Sequence, residues 1–185
     1  AQNALLDALS RQVTFELGYH FIQGEEGEDD DHLFNGILTR ILSDQDTIKV
    51  TTKETTMLGK LKALKTKIPT PMRSNPGLRI LMSVEDFDQY DEELTAQPGK
   101  GANYTDTNVS RYKGIGIEYM ANWPSGVLVA TITGMDNTTN LWAAVNLQAD
   151  IAVIQLDNLT NAGARYFFHL LLTADTHTPF GKDRL

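Results

Sequence analysis

Leu5, Leu6, Leu9, Val13, Leu17, Phe21 and Ile22 recur at three- and four-residue steps, the spacing of one helical face. Twenty such residues at 1.5 Å each make a helix of roughly 30 Å. An apolar stripe of that length requires a partner surface along it. Arg165 to about His177 reads as a strand of roughly 13 residues, about 43 Å at 3.3 Å per residue, which approaches the helix in length.

Between these two elements the pattern changes several times. Gly24 and Gly27 end the helix, and the run Glu25-Glu26-Gly27-Glu28-Asp29-Asp30-Asp31 has too few apolar groups to pack, so a solvated loop is expected. After Phe34-Asn35-Gly36-Ile37-Leu38, Thr51 lies three residues ahead of Glu54, the capping-box spacing at a helix start. Met57, Leu58, Leu61, Leu64 and Ile68 form its apolar stripe, and Pro69 and Pro71 stop it. Leu78-Arg79-Ile80-Leu81-Met82 reads as a short buried strand, with Ser83 and Asp86 capping a helix through about Leu94.

Glu93 to Gly114 carries Pro98, Gly99, Gly101, Asn103, Thr105, Thr107 and Asn108 with little periodicity and reads as a long loop. From Ile115 onward strands dominate: Ile115 to Met120, Gly126 to Thr133, Leu141 to Leu147, Ile151 to Leu156, and the long last strand. The fold class expected is α+β, with helices early and an antiparallel sheet late.

Charge is partitioned along the chain. The total is 16 Lys+Arg against 24 Asp+Glu, a net charge of −8. Ala1 to Thr47 holds two bases, Arg11 and Arg40, and ten acids, so the remainder is balanced and all of the net charge sits in the first quarter. An acidic chain of this kind lacks the cationic footprint of a sequence-independent nucleic-acid binder. With no cysteine, disulfides, thiolate metal sites and thiol nucleophiles are excluded together. No apolar run approaches the roughly 18 residues of a membrane span and no basic-then-apolar leader opens the chain, so a soluble chain without a membrane partner is expected.

The residues that could carry chemistry each have a plainer reading. The acids Glu25 to Asp31 could hold a hard cation, yet the alternate-position ligands of an EF-hand loop are absent. His20, His32, His169 and His177 share no ligand spacing, and His169, on the strand face of Phe167 and Leu171, suits a core or subunit contact. Pro124-Ser125-Gly126 lacks the first glycine of a nucleophile elbow. Pro98-Gly99-Lys100-Gly101 lacks the Lys-Ser/Thr of a phosphate loop, and Lys113-Gly114-Ile115-Gly116 lacks the third glycine of a dinucleotide fingerprint. Glu85, Asp86, Asp88, Asp91, Glu92 and Glu93 could offer a carboxylate pair, but with Phe87, Tyr90 and Leu94 opposite they read as the wet face of an amphipathic helix. The lysine face from Lys60 to Lys67 could meet an acidic partner surface, with the acidic first segment of a neighbouring copy as one candidate. No catalytic, cofactor-binding or metal-binding constellation emerges, and no enzyme activity is expected.

The order of elements resembles the tailed-phage (prophage) major capsid protein family, whose phage-capsid-like fold is shared by encapsulin nanocompartments. In that family a long spine helix ends in a glycine-containing loop and a Gly-Ile/Leu-Leu turn. Phe21-Ile22-Gln23-Gly24-Glu25-Glu26-Gly27 followed by Asn35-Gly36-Ile37-Leu38 is similar. Lys53 to Ile68, Leu78 to Met82 and Val84 to Leu94 resemble the helix, strand and helix that follow. Asp157-Asn158-Leu159-Thr160 through Arg165, the run Tyr166 to Ala174, and Pro179 resemble the long closing strand that returns along the spine helix.

The resemblance implies a structural virion protein: a long spine helix, a central antiparallel sheet flanked by helices, and a long C-terminal strand. Residues 1–47 would form a peripheral subdomain with the spine helix and acidic loop, 48–150 an axial subdomain, and 151–185 the return strand. Many copies would self-assemble as pentamers and hexamers of an icosahedral shell enclosing phage DNA without sequence-specific binding, built in the bacterial host cytoplasm. A scaffolding protein, a maturation protease and a portal are implied partners, and no cofactor is. The candidate capsomer-axis contact loop spans Gln97 to Tyr112, with Gln97, Lys100, Asn103, Tyr104, Arg111 and Tyr112 as its contact residues. The amino-terminal arm and extended loop that grip neighbours in this family would precede Ala1, and the chain reads as a piece of a longer product. The alternatives are an encapsulin-like shell holding a protein guest and, from a different class, a small hydrolase or ligand-binding module using the carboxylates of Glu85 to Glu93.

Overall fold

The computed structural model describes residues 2–27, 34–96, 110–134, 139–146, 157–158, 166–167 and 173–179. Helix α1 (Gln2–Gln23) has 22 residues, the length that the apolar repeat requires. Its last turns are packed: the Phe21 ring lies 5.2 Å from that of Phe34, and the Gln23 side chain donates to the Asn122 carbonyl. Further back, Phe15 and Tyr19 stay 59% and 45% exposed.

A second helix, α2 (Ile37–Ser43), follows where the sequence offered only a turn and a polar stretch. The chain enters it across the end of α1, with the Gly36 N–H donating to the Gly24 carbonyl at 2.8 Å. The Thr39 hydroxyl donates to the same carbonyl at 2.8 Å.

Helix α3 (Met57–Lys67) starts later than the Thr51–Glu54 spacing implies. Thr51 to Thr55 are exposed and non-helical, and Thr56 is the N-cap, its hydroxyl accepting from the Gly59 N–H at 3.2 Å. The capping box is not needed because Glu93, from a later helix, satisfies the first N–H groups. Its carboxylate accepts from Met57 N at 2.6 Å and Leu58 N at 2.8 Å. A tertiary contact has replaced a local one. Glu93→Ala should therefore cost about 1–2 kcal/mol, as the loss of a helix cap does, with Glu93→Gln in between. Urea midpoints of the two variants would check this. Pro69 and Pro71 end α3 and open a short helix, α4 (Thr70–Arg73).

Strand β1 (Leu78–Ser83) is buried at five of its six residues. Leu78, Ile80 and Met82 join one core with Met57, Leu61 and Ile68, while Leu81 joins another with Leu38, Ile41, Trp123 and Val129. Both faces are covered, which is why this strand reads as an apolar run rather than an alternation. Ser83 caps α5 (Val84–Thr95), its hydroxyl accepting from Asp86 N at 3.0 Å. Tyr90 and Leu94 of that helix are buried in the first core.

β2 (Arg111–Tyr112), β3 (Ile115–Met120) and β4 (Val129–Ile132) complete a four-stranded sheet in the order β2-β3-β1-β4. Arg79 to Ser83 pair with Gly116 to Met120 in parallel, and Leu78 to Leu81 pair with Ile132 to Val129 antiparallel. The sheet is thus mixed, which corrects the antiparallel sheet expected from the sequence. The chain re-enters the sheet after α5 through β2, which runs opposite to β1, and the reversal between β2 and β3 then sends β3 parallel to β1. Lys113 (φ 46) and Gly114 (φ 90) make the tight two-residue turn that joins β2 to β3.

The remaining strands form two small ladders. β5 (Trp142–Val145) pairs antiparallel with β8 (Ala174–His177), and β6 (Asp157–Asn158) pairs with β7 (Tyr166–Phe167). The long last strand expected from Arg165 to His177 is represented by β7 and β8, each with its own partner, and 168–172 lie outside the described residues. So does the expected strand at Ile151 to Leu156.

Candidate subunit-contact surfaces

Of the six candidate contact residues, Gln97, Lys100, Asn103 and Tyr104 lie outside the described residues. Arg111 and Tyr112 form β2, at the edge of the main sheet. Tyr112 is 5% exposed, with its ring edge-on to Tyr90 at 6.3 Å and the Lys113 ammonium 5.4 Å from its centroid. The Tyr90 hydroxyl donates to the Arg111 carbonyl at 3.1 Å. The backbone of β2 is thereby fixed, the Tyr112 ring is committed to the core, and the exposed Arg111 side chain faces outward.

The carboxylates of α5 do not converge. Asp86 is buried and accepts from Gly126 N at 2.8 Å, pinning the turn between β3 and β4. Glu93 caps α3, and Glu85, Asp88 and Glu92 are exposed. Among the described residues no group of three or more His, Asp or Glu is placed to hold a metal ion. His20 packs against Tyr19 and Phe34, His177 is exposed on β8, and His32 and His169 lie outside the described residues.

One tie the sequence did not disclose joins the early and late parts of the chain. Arg40 of α2 reaches Asp175 of β8 at 2.6 Å, and its Nε donates to the Thr176 hydroxyl at 3.1 Å. That hydroxyl, on a residue 2% exposed, donates in turn to the Asn35 carbonyl at 2.6 Å. The available signal was the isolation of Arg40 in an acidic quarter of the chain.

Burial acts to raise the Asp175 pKa, but the Thr176 N–H and the hydrogen bond and charge of Arg40 outweigh it. The carboxyl therefore sits below its ordinary value of 3.8. A depressed folded-state pKa contributes stability above the unfolded value and loses it as pH falls through the folded one. The α2–β8 tie should accordingly hold above the ordinary carboxyl value of 3.8 and loosen only as pH falls below it. NMR titration of the Thr176 amide should show this transition in the native chain, shifted upward in Arg40→Ala.

Several large apolar side chains remain uncovered: Phe15 and Tyr19 on α1, and Trp142 and Val145 on β5. Phe15 and Tyr19 lie four residues apart and so share one face of α1. No helix among the described residues is long and apolar enough to cross a membrane.

No protein-family model matches the chain, and no curated protein matches it. A solved structure does. A chain of the satellite phage P4 procapsid including size determination (Sid) protein superposes with a TM-score of 0.67 at 13% sequence identity. The match covers 96% of this chain and 60% of that one, so this chain spans about three fifths of its length. At such identity the likeness is one of fold, and the mixed α/β architecture described above is similar to that of a phage procapsid chain.

Proposed function

We propose that the chain is a major capsid subunit of a tailed phage or prophage, with copies joining as pentamers and hexamers of an icosahedral shell around DNA. The observation that carries this reading is the structural likeness to a procapsid chain over 96% of the length. The uncovered apolar residues of α1 and β5 support it, because a shell subunit must leave such surface for its neighbours. In this reading α1 is the spine helix, and residues 1–47 and 151–185 build a peripheral subdomain beside an axial one at 48–150. The Arg40–Asp175 ion pair supports that pairing of first and last segments. The work done is association: each interface is modest, and closure makes the sum cooperative. A scaffolding protein, a maturation protease and a portal are the proposed partners, and the assembled virion is the proposed location.

Electron microscopy of the full gene product carrying this chain, after density-gradient separation and with any scaffold co-expressed, tests the proposal. Closed shells, or rings of five and six subunits, are expected, with DNA rather than a protein guest inside mature particles. A homogeneous small particle whose melting temperature rises with a small ligand would overturn it.

A further inference from the structure

α3 carries Lys60, Lys62, Lys65 and Lys67 and no acid, whereas α5 carries six acids and no base. The two helices pack on the same sheet face, yet among the described residues no ion pair joins them. The direction of β1 separates the charges further. Glu85 and Asp88 follow Ser83, so they sit at or one turn from the end of β1. At the start of β1, six residues or roughly 20 Å away, lies a cavity of about 420 Å³.

That cavity is cationic. Lys65, Arg73, Arg79, Arg111 and Lys113 line it, and no carboxylate does. Its positive groups are held in place: Arg73 Nε donates to the Ile68 carbonyl at 2.8 Å, Arg79 Nη1 to the Pro76 carbonyl at 2.8 Å, and Lys65 Nζ to the Lys113 carbonyl at 3.1 Å. Arg79 also meets Glu118 at 3.4 Å, while the exposed Arg111 side chain has no partner among the described residues. Fixed guanidinium groups suit carboxylates, because the geometry of the charge-assisted bond is already set.

One rigid strand keeps the two patches apart, so they cannot neutralise each other within a copy, but every copy offers both. We infer that the cationic cavity of one copy receives the acidic first turns of α5, Glu85 and Asp88, of the next copy, in a head-to-tail contact. This rests on the capsid-subunit reading and names the side chains of one interface within it. A contact between two different patches is heterologous, and it generates a ring when its rotation closes. Nucleic acid is the less favoured occupant: the chain carries a net charge of −8, and the cationic groups gather around one cavity instead of forming a stripe.

The test is charge reversal in the full gene product, with rings and shells counted by native mass spectrometry and sedimentation. R111E/K113E alone and E85K/D88K alone should each reduce the assembled fraction about tenfold, and the chain carrying all four changes should regain most of it. E85Q/D88N, which keeps side-chain size, should show a smaller loss, and circular dichroism verifies that each variant is folded. Raising salt to about 1 M, where the Debye length is ~3 Å, should weaken wild-type rings. Single reversals that leave rings intact, or a four-change chain that assembles no better than its parents, would overturn the inference. So would an R111E/K113E protein that keeps its rings and loses bound DNA. A wild-type protein that forms no rings at all refutes the capsid reading and this contact with it, whereas wild-type rings indifferent to reversal refute the contact alone.

Discussion

Gly36→Ala is expected to destabilise the chain by about 3 kcal/mol, at the upper end of the cost of forcing extra volume into a packed site. The backbone at Gly36 is ordinary (φ −69, ψ 165), so no strain of conformation is involved and the whole effect is spatial. A Cβ at Gly36 would stand 2.6 Å from both Gly24 N and the Ile22 carbonyl oxygen, and one at Gly24 would stand 2.5 Å from the His20 and Phe34 carbonyl oxygens. These neighbours are backbone atoms and cannot rotate away. The hydrogen bond from Gly36 N to the Gly24 carbonyl exists only because the two segments cross at this distance. For a chain of this size the melting temperature should fall by roughly 6–12 °C. Gly126→Ala is the control: its φ of 83 strains a side chain, but nothing lies within 4 Å of the added carbon, so about 1 kcal/mol is expected. A Gly36→Ala shift no larger than the Gly126→Ala shift would show that the crossing is looser than described. Gly24→Ala and Gly36→Ala should combine to less than the sum of their separate costs, because either one already forces the two segments apart.

The crossing also shows where the sequence could be read and where it could not. Gly24 and Gly36 stood out as punctuation, yet nothing in their spacing says that the two segments touch, since that depends on where α2 lies. α2 itself went unseen although Ile37, Leu38, Ile41 and Leu42 have helical spacing, because seven residues are too few for periodicity to dominate. β1 and α5 were legible almost to the residue: an apolar run, a Ser cap and a strongly amphipathic acidic helix all act locally. The direction of β3 was not, because it follows from the reversal after β2 and from the edge of β1 that β3 joins. At the edge of this sheet the short β2–β3 pair is an antiparallel hairpin closed by the turn at Lys113 and Gly114.

The candidate contact residues divide in a similar way. Arg111 and Tyr112 share a dipeptide and a strand, but alternation places one ring in the core and one guanidinium outside. A loop-based reading treats both as equally available, and only the pairing of β2 with β3 separates them. The carboxylates of α5 illustrate the opposite error. All six read as one wet face, whereas Asp86 and Glu93 are spent on backbone N–H groups of other elements. Such a partner is invisible to helical periodicity, because it belongs to a segment far away in the chain.

Asp86→Ala should cost about 3 kcal/mol, close to the effect of Gly36→Ala but by a different physical route. Asp86 is 3% exposed, and its carboxylate accepts from Gly126 N at 2.8 Å with the Ser125 hydroxyl 3.5 Å away. A hydrogen bond to a charged group contributes roughly 1.5–3 kcal/mol, and an acid in the first turn of a helix about 0.3–1 more. Both are lost together in the alanine variant. The turn concerned is held from its other side by Trp123, whose indole N–H donates to the Val127 carbonyl at 2.8 Å and whose ring fills the second core with Leu81 and Val129. Removing the carboxylate therefore leaves the turn tethered at one point, next to the start of β4. Asp86→Asn keeps the shape and an acceptor oxygen but discards the charge, so it should lose about 1 kcal/mol. Denaturant midpoints separate the two variants, and amide exchange at Gly126 locates the effect: faster exchange is expected in Asp86→Ala at unchanged exchange in α3. Equal destabilisation by Asn and Ala would assign the whole contribution to charge at the helix start rather than to the bridge between α5 and the turn.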